Sequence, residues 1–150
     1  MARKIIGVIV GYIAMTAAIF ITFTLLYFIL GAEGSFQPGN YQVSTTWLIL
    51  STILGLIAAV IGGLVCVIIA KYRKIAIWLA GLVLVLGIIF AIPGLNAPEA
   101  ETNKVREGNV ENMEAMQNAK QPPLALILNP IIGALGVIAG SRLKKSNQAS

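Results

Sequence analysis

Residues 47–78 read WLILSTILGLIAAVIGGLVCVIIAKYRKIAIW. No charged side chain occurs from Trp47 to Ala70, and three cations then fall within Lys71 to Lys74. An uncharged apolar run of 24 residues exceeds the roughly 20 that cross a hydrocarbon core as a helix. Apolar sequence resumes at Ile75 and continues to Leu95. The pattern is a membrane hairpin: a spanning helix, a tight basic turn, and a second spanning helix. A turn of four residues predicts that the two helices are antiparallel neighbours.

The same reading extends outward to both ends of the chain. Apolar runs place four transmembrane helices at about 5–30, 47–70, 75–95 and 122–142. Between the first two lies a polar piece, Ser35 to Thr46, with Gln37, Pro38, Gly39 and Asn40. The first run follows Arg3 and Lys4, as a signal peptide would, but its 26 residues exceed the roughly 7–15 of a signal h-region. It reads as an uncleaved signal anchor. Composition agrees: 57% of residues are hydrophobic and 11% are charged, against about 25% charged in a soluble domain. So few charges cannot cover a water-facing surface, which excludes a soluble globular protein.

The distribution of charge predicts an orientation. Arg3, Lys4, Lys71, Arg73, Lys74, Arg142, Lys144 and Lys145 fall on one side of the membrane with no acid among them, a balance of +8. The other side holds Lys104, Arg106 and Lys120 against Glu33, Glu99, Glu101, Glu107, Glu111 and Glu114, a balance of −3. Basic flanks stay in the cytoplasm. The expectation is an all-α, up-down-up-down, four-helix transmembrane bundle in the cytoplasmic (inner) membrane, both termini inside. The 150 residues form a single transmembrane domain with an outer loop over 96–121 and a basic tail over 142–150. Basic residues are then a topology signal, and no nucleic-acid partner is expected. Tyr27, Phe28, Tyr41 and Trp47 at the outer boundary, and Tyr72 and Trp78 at the inner one, fit interfacial aromatic belts.

Each predicted helix carries a ridge of small residues. Helix 1 has Gly7 and Gly11; helix 2 has Ser51, Gly55, Ala59 and Gly63; helix 3 has Ala80, Gly87, Ala91 and Gly94; helix 4 has Gly133, Gly136 and Gly140. In lipid the hydrophobic effect does not draw helices together, so small ridges that allow close backbone approach take over that role. The partners implied are the lipid bilayer, and another membrane protein or a second copy of this chain.

Catalytic chemistry is poorly supplied. The chain has no His and one cysteine. That removes imidazole ligands, dithiol pairs and cysteine zinc clusters, so no catalytic, metal or cofactor site is expected. Cys66 reads as a small packing residue. In size and topology the chain is similar to small four-helix multidrug exporters. Their helix 1 carries an embedded Glu, and Ile5 to Leu30 has none. The loops also lack the paired cysteines of claudin-like four-helix proteins.

Two features remain as functional candidates. Asn129 is the most polar side chain at membrane depth, and Pro130 beside it is expected to kink helix 4. The pair reads as a hinge or polar contact point, or as an interhelical hydrogen bond within a fixed shape. In the outer loop, Pro93, Gly94 and Pro98 are expected to end helix 3. Gly108 then breaks the chain, and Asn109 caps a short helix over about 110–120. Val110, Met113 and Met116 recur every three residues as an apolar stripe that docks on the bundle rim or contacts a partner. The expected role is a non-catalytic accessory, scaffold or assembly component. The alternative is a subunit of a small oligomeric transporter or channel for a neutral or apolar solute.

Overall fold

The structure is a computed structural model, and it describes residues 2–97 and 104–144. Pro98, Glu99, Glu101 and Lys145 with the rest of the tail lie outside the described residues. The chain is all-α: α1 (Ala2–Ser35), α2 (Thr45–Ala70), α3 (Ala76–Leu95), a short α4 (Asn112–Asn118) and α5 (Pro123–Leu143). A single 3-10 turn, Arg73–Ile75, precedes α3. Four of these helices are long and apolar enough to cross a membrane. Their outward faces expose Ile9, Ile13, Phe20, Ile57, Ile88 and Leu135 among others, a surface suited to hydrocarbon rather than water.

Local chemistry sets the boundaries. At Gly31, φ is 64° and the helical path of α1 breaks; a side chain there would be strained. Ser44 caps α2 by accepting a hydrogen bond from the Trp47 backbone N–H at 3.0 Å. Lys71 closes α2 in the left-handed region, φ 53°. Pro122 and Pro123 open α5, where a missing N–H is harmless. Pro93 and Gly94, expected to end α3, lie inside its last turn, and the helix stops at Leu95. So close to the end, the proline leaves little helix to break.

Packing is organised by glycine. Gly7 lies against Ala70 and Cys66, Gly11 against Cys66 and Gly62, and Gly62 against Met15. The order of these partners makes α1 and α2 antiparallel. On the next face of α2, a side chain at Gly63 would strike the Val137 backbone, one at Gly140 the Val60 backbone, and one at Gly136 the Ala59 side chain. Helix α5 therefore sits backbone to backbone on α2. On α3, Gly87 receives the Pro130 ring and Gly94 receives Leu126. The resulting neighbours are α1 on α2, α2 on α5 and α5 on α3, whereas α2 and α3 touch only lightly. This corrects the expected α2–α3 packing. The four-residue turn ties their ends, but the glycines of α2 and α5 permit a closer contact, and α5 takes the place beside α2.

Charge separates along the bundle. Arg3, Lys4, the Lys71–Lys74 turn and Arg142 gather at one end, the basic end, where Lys4 Nζ lies 4.4 Å from the Tyr72 ring centre. Glu33 and the segment 104–120 occupy the opposite, loop end. Ten buried residues form one core within the bundle, including Met15, Cys66, Leu79 and Val137. A second core lies at the loop end, made of Tyr27, Ala32, Phe36, Tyr41, Val43 and Ala115.

Candidate functional site

The two loops at the loop end fold together into a cap. Phe36 pairs with Val43, Asn40 with Val105, and Gln42 with Lys120, each as an isolated backbone bridge. The Lys120 N–H donates to Tyr41 O at 2.9 Å, and the Val43 N–H donates to Lys120 O at 3.0 Å. Without these partners the buried backbone groups would each lose a hydrogen bond. Aromatic rings fill the interior: Tyr27, Phe36, Tyr41, Phe23 and Trp47 meet edge to face with centroids 5.7–6.5 Å apart.

Arg106 is the centre of the cap. It is 5% exposed, and a buried guanidinium must be paired and hydrogen-bonded to be tolerated. Nη2 donates to Glu33 Oε1 at 3.1 Å, Nε donates to Asn40 O at 3.3 Å, and Nη1 donates to Gly108 O. The guanidinium also lies 5.9 Å from the Phe36 ring centre. Arg106 thus ties the end of α1, the first loop and the second loop at one point. Tyr41 donates to Glu114 Oε1 at 2.7 Å, and Tyr27 donates to Val110 O at 2.5 Å. The Glu114 carboxylate accepting its proton pushes the Tyr41 phenol above its ordinary pKa, and burial adds to the rise.

Beneath the cap the bundle is open. A cleft of about 280 Å³ runs between α1, α3 and α5, lined by Tyr12, Phe90, Leu126 and Pro130 among others. A second of about 210 Å³ lies between α1, α2 and α5 and includes Ser51, Thr52 and Gly55. Gln121 and Asn129 line both, and Asn129 Nδ2 donates to Gln121 Oε1 at 2.9 Å. The arrangement is an apolar cleft with one amide pair able to hold a neutral polar group.

The small-residue positions read from the sequence divide. Gly7, Gly11, Ala59, Gly63, Gly136 and Gly140 are at close helix contacts, and Gly133 faces Val83. Gly55 is different: nothing lies within 4 Å of a side chain placed there. The four-residue spacing that assigned it to the ridge runs into the cleft, where the helices have diverged. Asn129 bonds just before its own helix, to Gln121, and Pro130 is buried against Gly87.

The stripe of Val110, Met113 and Met116 also divides. Val110 packs on the cap core, while Met113 and Met116 are 59% and 47% exposed. Ala115 is the residue of α4 that is buried. The helix docks by its small residue, because Ala115 lets the backbone approach the aromatic core. Helix α4 starts at Asn112 after Glu111, not after Asn109, and has no side-chain cap. Tyr27 and Tyr41, read as interfacial anchors, are core residues at 7% and 3% exposure. Each finds its partner in the segment 110–114, far along the chain, which no local pattern signals. No local pattern marks Arg106 or Gln121 as a site residue either. An arginine within a short segment of alternating charge reads as solvated until its distant carbonyl partners are known.

Among the described residues, no three His, Cys, Asp or Glu side chains are placed to hold a metal ion. Compared with known proteins, the chain matches no family model, no curated protein and no solved structure.

Proposed function

We propose that this chain is a non-catalytic, multi-pass component of the cytoplasmic membrane, an accessory or assembly subunit that engages another membrane protein through its loop end. Its four helices run up, down, up and down, with both termini and the basic end inside, as the charge balance of +8 and −3 favours. The observation carrying this reading is the pair Met113 and Met116. They stand exposed on one face of α4, on a cap held in place by Arg106, Tyr27 and Tyr41. A fixed pair of flexible apolar side chains outside the lipid suits contact with another protein.

The test is isolation in mild detergent of the parent chain and of Met113→Glu/Met116→Glu. Both side chains are open in the isolated chain, so its thermal stability and proteolysis should not change, while recovery of co-purifying protein should fall. Equal recovery from both would refute a partner at this face. Orientation is checked separately. A cysteine at Asn109, an exposed position, should label from outside intact cells, and one at Ser146 only after permeabilisation.

The cleft favours a second reading, a subunit that handles a neutral or apolar solute. Its apolar walls and the Gln121–Asn129 pair suit a molecule with one hydroxyl or carbonyl group. Protection of a cysteine at Gly55 by such a solute would support it, and unhindered labelling would count against it.

A further inference from the structure

At the basic end, the turn before α3 and the end of α5 enclose a cavity of about 380 Å³. Its eight lining residues include Tyr72, Arg73, Lys74, Ile77, Ser141 and Arg142. Three of the eight are cations, drawn from two segments far apart in the sequence. Arg73, Lys74 and Arg142 are exposed, and among the described residues none of their side chains makes a hydrogen bond or ion pair. The described glutamates, Glu33, Glu107, Glu111 and Glu114, all belong to the loop end. Their neighbours are already engaged: Arg3 Nε donates to Ile69 O at 2.9 Å, and Lys4 lies over the Tyr72 ring.

Positive flanks alone would satisfy the orientation rule wherever they stood. Here they converge on a concavity, and other features of it favour an anion. The positive end of α3, which begins at Ala76, lies beside Ile77 and adds to the field there. We infer that this cavity binds the phosphate headgroup of an anionic phospholipid in the leaflet at the basic end. The inference rests on the membrane-spanning reading of the helices. A lipid is favoured over a free phosphate because Ile77 and Trp78, 66% and 75% exposed, continue from the cavity onto the outward apolar face of α3. Acyl chains attached to a bound headgroup can lie along that face. Basic pockets between membrane helices recognise anionic headgroups in this way.

The full chain is reconstituted in phosphatidylcholine bilayers with or without phosphatidylglycerol, and bound lipid is counted by native mass spectrometry after extraction. The parent should retain phosphatidylglycerol and not phosphatidylcholine. Each cation near a membrane surface contributes roughly fivefold, so R73Q/K74Q/R142Q should retain about 100-fold less. R73K/R142K, which keeps the charge, and K104Q, at the opposite end, should retain as much as the parent. Equal retention by the triple variant, or equal retention of phosphatidylcholine by the parent, would overturn the inference. So would inorganic phosphate displacing the lipid at equal headgroup concentration, since the site would then be one for the free anion. Flotation of each variant with phosphatidylcholine vesicles separates the two levels. A parent that does not float has failed the membrane-spanning reading, whereas variants that float and differ only in retention report on the pocket.

Discussion

Toward the basic end the helices meet backbone to backbone; toward the loop end they stand apart, and the loops tie them together. Gly7, Gly11, Gly62, Gly63, Gly136 and Gly140 all fall in the first region, each with a neighbour less than 3.0 Å from where a side chain would begin. In the second region Gly55 has open space, clefts separate α1 from α5, and buried polar groups hold the cap. Dispersion between close backbones is the means available to helices in lipid. Hydrogen bonds and aromatic burial act where the chain leaves it. One short chain thus uses two kinds of adhesion; the glycines of α3 nearer the loop end, Gly87 and Gly94, meet the Pro130 and Leu126 side chains rather than another backbone.

The comparison can be broken most forcefully at the glycine contacts. Gly63→Ile and Gly140→Leu each press a side chain into another helix's backbone, which cannot rotate away. Each should destabilise by at least the ~3 kcal/mol typical of severe overpacking, read as a large fall in thermal stability in detergent. Gly55→Leu, on the same helix but at the cleft, should stay within about 0.5 kcal/mol of the parent. Equal losses at Gly55 and Gly63 would mean that the two halves are packed alike.

A smaller and more local loss is expected at the cap. Arg106→Met removes the donor from Asn40 O and Gly108 O, at about 1 kcal/mol for each bond, since both residues keep access to water. Limited proteolysis within 104–121 should accelerate, while the thermal transition of the glycine-packed half moves little. A collapse of the whole bundle would show that the cap is not a separate unit.

Asn129→Leu tests the cleft between them. It removes one hydrogen bond at membrane depth, worth about 0.6 kcal/mol on average, so a slight fall in stability is expected. A loss of several kcal/mol would mean that the amide pair holds α5 in place.

The smallest effect is a dependence on alkaline pH. Tyr41 is raised above its ordinary value of 10.0 by its bond to Glu114. A group with a raised folded pKa contributes stability that is fully present below the unfolded value and lost as pH rises through the folded one. Cap protection, measured by proteolysis, should therefore hold below pH 10 and fall above it. Tyr41→Phe should reduce that alkaline loss. An unchanged alkaline limb in Tyr41→Phe would assign it to another group.

Four long helices and the segregation of charge to opposite ends were legible without any structure. Hydropathy summed over some twenty residues tolerates any single error, so the observed Thr45–Ala70 and Pro123–Leu143 lie within two residues of the stretches read as apolar. Local signals at Gly108, Pro122 and Pro123 were legible for a similar reason: their backbone preferences do not depend on distant partners. Which small residues matter was settled by how the helices pack. Gly62 and Gly63 are adjacent and so serve different faces of α2, one toward α1 and one toward α5. A single ridge spaced by four includes Gly63 and Gly55 and omits Gly62. Packing likewise decided that Ala115 would be buried and Met113 and Met116 exposed, and that Arg106, Tyr27 and Tyr41 would lie inside. Each of those outcomes depends on atoms brought from another part of the chain. The energy that selects them does not exist until the helices have met, so composition, spacing and periodicity hold no trace of it.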